Sequence, residues 1–109
     1  MRIAIVGSRN VVVDNLKNYL SIDDEIVSGG AKGVDSCAQD YARKHGLKLT
    51  EFLPDYQKYG RAAPIIRNKL IVEYSDKVIA FWDGKSKGTL FVINYSKKLN
   101  KPCNVILCK

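Results

Sequence analysis

Five short apolar runs, each cut off by a turn-forming residue, constrain this chain more than any other feature. Ile3-Ala4-Ile5-Val6 stops at Gly7, and Glu25-Ile26-Val27 stops at Ser28-Gly29-Gly30. Residues 47–53 stop at Pro54, residues 78–82 stop at Asp83-Gly84, and the last run covers residues 103–107. The first and fourth are continuously apolar, as in strands buried on both faces of a parallel sheet. The third alternates (Leu47, Leu49, Glu51, Leu53), which puts it near a sheet edge. Helix-period segments separate the runs. Residues 11–20 set Val12, Val13, Leu16, Tyr19 and Leu20 on one stripe. Residues 34–44 carry Val34, Cys37, Ala38, Tyr41 and Ala42 at helical spacing, then basic residues and Gly46 as a stop signal. Residues 64–74 start with proline in a first-turn position, and residues 89–99 carry Leu90, Phe91, Ile93 and Leu99. Strands alternating with helices predict parallel units with right-handed crossovers. The expected fold is a three-layer α/β domain over residues 1–109, with a five-stranded parallel sheet of order 3-2-1-4-5 and helices on both faces.

A chain of 109 residues holds one domain. With 46% hydrophobic and 27% charged residues it has globular composition. No apolar run approaches the roughly 20 residues of a membrane helix, and the first residues lack the pattern of a signal peptide. A soluble, cytoplasmic protein is expected. Its three cysteines form no Cys-x-x-Cys pair, and its one histidine has no partner histidine, so no metal site is expected. Cys103 and Cys108 are five apart, on opposite faces of a strand. The formal net charge is +7, and a basic domain attracts polyanions, nucleotides and nucleic acid above all.

In open parallel sheets, ligands bind beyond the carboxyl ends of the strands, where strand order reverses. Four loops should meet there: Gly7-Ser8-Arg9-Asn10, residues 28–35, residues 54–63 and residues 83–89. Two suit anions. Ser28-Gly29-Gly30-Ala31-Lys32-Gly33 leads straight into a helix, whose N–H groups and positive dipole end favour phosphate. Asp83-Gly84-Lys85-Ser86-Lys87-Gly88-Thr89 repeats the scheme after the fourth strand. Neither is a P-loop or a dinucleotide glycine fingerprint. Arg9, Lys32, Lys58, Arg61, Arg67, Lys85 and Lys87 all fall in these loops or an adjoining helical turn.

Several residues admit two roles. A cation at Arg67, near a helix start, opposes the helix dipole, so it is expected either to meet a ligand or to pair with Asp35 or Asp83. Asp35 caps its helix or holds a ribose hydroxyl. Asp83 binds ribose or holds Lys87. Trp82 belongs to the core or stacks on a base, and Tyr56 and Tyr59 in the third loop are better stacking candidates. Asn68 bonds to its own helix or to a ligand. Val11, Val13, Ile66 and Phe91 exceed what one apolar stripe needs, which points to a homodimer.

The ordered phrases VGSR, VSGGAKGVD, YGRAAPIIRN, FWDG and SKGT resemble the YspA-type, cpYpsA-related branch of the SLOG superfamily, the SMF/DprA–LOG group of Rossmann-like domains. The resemblance runs from Ile3 to about Val105. It implies a Rossmann-like fold and binding of a nucleotide or nucleotide-derived ligand with no required cofactor. It implies pocket roles for Gly7-Ser8-Arg9, Gly29, Gly30, Gly33, Asp35, Arg67, Asn68, Gly88 and Thr89. Ser28, Lys32, Asp83, Gly84, Ser86 and Lys87 complete the expected ligand-binding set. Two alternatives follow from the same superfamily: a phosphoribohydrolase, and a DprA-like binder of single-stranded DNA. The phosphoribohydrolases place a glutamate three residues after the Gly-Thr pair, and this chain has Val92 there. Valine cannot act as acid or base, so Asp35 and Asp83 remain the available carboxylates.

Overall fold

The computed structural model describes residues 1–30 and 32–108. Five strands form one parallel sheet: β1 (Arg2–Gly7), β2 (Glu25–Ser28), β3 (Lys48–Glu51), β4 (Lys77–Trp82) and β5 (Cys103–Leu107). Their order is β3-β2-β1-β4-β5, and all four pairings are parallel. The expected order holds, and the alternating third run is an edge strand. Among the described residues the α-helices are α1 (Val34–His45), the single turn α2 (Tyr56–Tyr59), α3 (Ala63–Tyr74) and α4 (Lys87–Lys98).

Each face of the sheet has its own core. On one face, Ile3, Ile5, Ile26 and Ile79 pack against Val34, Ala38 and Ala42 of α1. On the other, Ala4, Val6, Val78 and Ala80 meet Ile71 and Val72 of α3 and Val92 and Ile93 of α4. The alternation of side chains along β1 feeds both cores. Cys108 packs toward the first core and Cys103 toward the second, the opposite placement that their spacing predicts.

The helix expected over residues 11–20 does not form. Only a 3₁₀ turn at Leu16–Asn18 interrupts irregular chain. Three successive β-branched valines followed by Asp14 and Asn15 have poor helix propensity. The chain instead buries Val11 and Leu16 in the first core, with Val13, Tyr19 and Leu20 partly buried around them. Val12, expected on the buried stripe, is 82% exposed. Val11 and Val13 therefore serve the core and are not surplus apolar surface for a partner.

Candidate ligand-binding site

β1 and β4 lie side by side, and the chain leaves them in opposite directions. Residues 8–20 after β1 cover the first core, while α4 after β4 covers the second. At this reversal a cavity of about 280 Å³ opens. Val6 and Gly7 line it from the end of β1, Arg9 from the loop that follows, and Asp35 from the start of α1. Pro64, Arg67, Asn68 and Ile71 line it from α3, and Ser86, Gly88, Thr89 and Val92 from the start of α4.

Close backbone packing brings these loops together. A Cβ on Gly7 would lie 2.5 Å from both the Phe81 carbonyl oxygen and Val34 Cγ2. Gly33, at φ +77, would place a Cβ 2.4 Å from the Arg9 carbonyl oxygen. Only glycine combines that left-handed backbone with such an approach. The contact holds Arg9 and the start of α1 at one mouth. Ser8 is buried and works as a tie: its N–H donates to the Phe81 carbonyl, and its Oγ accepts from the Asp83 N–H at 3.2 Å.

Arg67 is fixed from two sides. Its Nη1 donates to the Gly29 carbonyl at 2.7 Å, and its Nε to Asn68 Oδ1 at 2.8 Å. A Cβ on Gly29 would fall 2.7 Å from Nη1, so glycine there makes room for the guanidinium. Asn68 thus bonds within its own helix, the first of its two expected roles, by accepting from its neighbour's guanidinium. Asp35 is 7% exposed and is the carboxylate among the described lining residues.

Asp83, Ser28, Gly30, Lys32, Gly84 and Lys87, also expected in the site, stand apart from the cavity. Asp83 accepts N–H bonds from Ser86 and Lys85, both at 2.8 Å. The Ser86 N–H first, and then that of Lys85, hold its carboxyl below the usual carboxylate range. It is a turn-forming anion, poorly suited to serve as an acid. Ser28 is buried at the end of β2, with its Oγ 3.5 Å from the Gly30 N–H. Gly30, at φ +71, faces Leu53 and Glu51 and not the cavity. Ala31, between it and Lys32, lies outside the described residues. Lys32, Gly84 and Lys87 are exposed. At the start of α4, Ser86 Oγ caps the Thr89 N–H at 3.4 Å and lies 3.2 Å from Thr89 Oγ1. A Cβ on Gly88 would meet nothing within 4 Å, so packing does not demand glycine there.

Trp82 is half-buried against the second core, its Nε1–H donating to the Ser86 carbonyl. Tyr56 and Tyr59 lie exposed on α2. The residues not foreseen as lining are Val6, Pro64, Ile71 and Val92. They are apolar walls, and apolar residues of a core strand or helix carry no local sign that one side of them faces a cavity. Val92 has the most consequence. The position where the resemblance places a glutamate in hydrolases is part of the cavity wall, and here it is aliphatic. Among the described residues, no group of three or more His, Cys, Asp or Glu side chains could hold a metal ion.

A search of curated proteins finds no match. Among solved structures, the fold is similar to that of DNA processing protein A (DprA) from Streptococcus pneumoniae, with a TM-score of 0.79. That likeness covers 99% of this chain and 50% of the DprA chain at 19% identity, and it speaks for the fold alone. A family model matches residues 1–59, which include the VGSR and VSGGAKGVD loops. On that match, and with the parallel five-stranded sheet that accompanies it, the chain belongs to the YspA, cpYpsA-related SLOG family.

Proposed function

We propose that the cavity between β1 and β4 binds a nucleotide or nucleotide-derived metabolite and does so without hydrolysing it. One observation carries the reading: Arg9, Asp35, Arg67 and the first turn of α4 converge on one cavity at the sheet's switch point. Arg67, already oriented by Gly29 and Asn68, offers a planar fork to a phosphate. Arg9 adds a second positive charge, Asp35 suits a ribose hydroxyl, and the apolar wall of Val6, Pro64, Ile71 and Val92 suits a base or sugar face. At about 280 Å³ the cavity lies at the small end of ligand pockets. It therefore favours one nucleotide unit over a dinucleotide. Calorimetry with AMP, ADP-ribose and NAD tests this, with AMP expected to bind tightest. Absence of heat with all three, from folded protein, overturns it. Incubation with nucleoside monophosphates should release no free base, because Val92 offers no group for proton transfer. Base release that is lost in Asp35→Asn would instead establish a hydrolase.

A second reading rests on a different surface. Tyr56 is 60% exposed, and Lys58, Tyr59 and Arg61 are exposed beside it, with Lys58 Nζ 5.2 Å from the Tyr59 ring centroid. Aromatic and basic side chains interleaved in this way suit single-stranded nucleic acid, and the Streptococcus pneumoniae protein of like fold is a DNA processing protein. This reading predicts oligonucleotide affinity that falls steeply with salt. The first predicts that AMP alone competes fully. We place the protein in the cytoplasm, where nucleotides abound and where Cys37, Cys103 and Cys108 persist as free thiols. No helix among the described residues is long and apolar enough to cross a membrane.

A further inference from the structure

The sheet has two edges of opposite character. β3 is guarded: it begins with Lys48 and ends with Glu51, and Lys48 pairs with Glu25 at 3.4 Å. Charges of this kind keep edge strands from pairing with other chains. β5 reads Cys-Asn-Val-Ile-Leu, with no charge and no proline, and Val105 and Leu107 are 44% and 57% exposed. On its inner side, the Pro102 carbonyl accepts from the Val78 N–H, and the Cys108 N–H donates to the Trp82 carbonyl. A parallel ladder uses every second residue, so Asn104 and Ile106 also turn their backbone groups toward β4. Cys103, Val105 and Leu107 turn theirs outward.

We propose that this edge is a self-pairing surface. Two copies of the chain join β5 to β5, antiparallel, about a two-fold axis through Val105. That axis sets Val105 opposite its own counterpart and Cys103 opposite Leu107 of the other copy. Every outward N–H and C=O of the strand then finds a partner, which no shift by one residue achieves. A β-branched pair sits on the axis, and no charge within the strand meets a like charge. This absence of charge argues for a second copy as the occupant: the chain carries +7 overall, and β5 is a strip on which two such chains can approach. The two sheets become one.

Analytical ultracentrifugation over the micromolar range should show a dimer that tightens with added salt, as repulsion between the +7 chains is screened. Val105→Lys and Val105→Glu should each raise the dissociation constant roughly a hundredfold or more, because each puts two like charges face to face. An equal mixture of the two should regain the dimer, because residue 105 meets itself. Val12→Lys, on an exposed residue outside β5, should stay dimeric. Amide exchange needs no variant: the Val105 and Leu107 N–H groups should slow as concentration rises. A monomer at high micromolar concentration, exchange at Val105 independent of concentration, or a Val105→Lys protein as dimeric as the wild type overturns the proposal. So does a folded pair of charged variants that fails to recombine.

Discussion

Arg67 joins a helix and a loop 38 residues apart in the chain through a bond to one carbonyl, so its side chain is both a wall of the cavity and a strut between α3 and the loop after β2. Replacing it with alanine should weaken nucleotide binding roughly tenfold or more, the effect of losing a charged hydrogen bond of about 1.5–3 kcal/mol. Arg67→Lys should not restore it, because a lysine cannot contact Gly29 and Asn68 together and still present a flat fork. Titration calorimetry, with circular dichroism to check folding, measures both. Glycine substitutions in the loop after β2 should separate by the direction each faces. Gly33→Ala drives a Cβ into the Arg9 carbonyl and imposes positive φ on a residue that resists it, at a cost of about 1–3 kcal/mol. It should move Arg9 and impair both stability and binding. Gly30→Val meets the flexible end of the exposed Leu53 side chain on the side away from the cavity. Its effect on affinity should be the smaller of the two, although from sequence alone Gly30 looks like the centre of a phosphate cradle. Backbone direction within a glycine run is set by tertiary packing, and the string Ser28-Gly29-Gly30 gives no sign of which glycine makes room for an arginine.

At the scale of elements, the strands and the three long helices were readable because each carries a period or a stop signal of its own. Residues 11–20 were not, and the reason is specific. Their apolar residues have a plausible stripe, but burial selects Val11 and Leu16, five apart, a spacing that one helical face does not share. The turn of helix at Tyr56–Tyr59 has no period to detect; Asp55 caps it by accepting from the Lys58 N–H at 3.1 Å. The cavity was readable as a meeting of loops at strand ends, whereas its apolar walls belong to α3 and α4 and look like any other core residues. The start of α4 offers a direct test of how much a cap matters there. Ser86→Ala removes the bond to the Thr89 N–H and should cost about 1 kcal/mol of stability. Urea denaturation should show a lower midpoint at an unchanged slope.

For the whole molecule, one source of acid sensitivity lies at the end of the sheet remote from the cavity. Glu25 accepts from Tyr74 OH at 2.6 Å and from Thr50 Oγ1 at 2.7 Å, and so ties β2 to β3 and to the end of α3. The Tyr74 hydroxyl foremost holds its carboxyl below the ordinary value of 4.5. A depressed carboxyl contributes in full above its unfolded pKa, and the contribution fades as pH falls through the folded one. Stability should therefore drop below about pH 4.5, and Glu25→Gln should be less stable near neutrality with a flatter acid limb. Urea denaturation at a series of pH values measures both. The place of β1 bears on how the chain reaches this state. It lies at the centre of the sheet, flanked by β2 early in the chain and by β4, whose register sets Ile5 against Ile79 and Val6 against Ala80. A nascent chain must grow past Trp82 before its first strand has both neighbours, and closing so long a span delays the assembly of the sheet. Until then Ala4, Val6 and Val27 have no second core to enter, and one edge of β1 stands open. The stretch that carries the family match, residues 1–59, is thus a unit of descent and not a unit of folding. Prepared as a peptide, it should give the circular dichroism of an unfolded or aggregating chain, and a mixture with residues 60–109 should be needed to recover the helical and sheet signal of the intact protein.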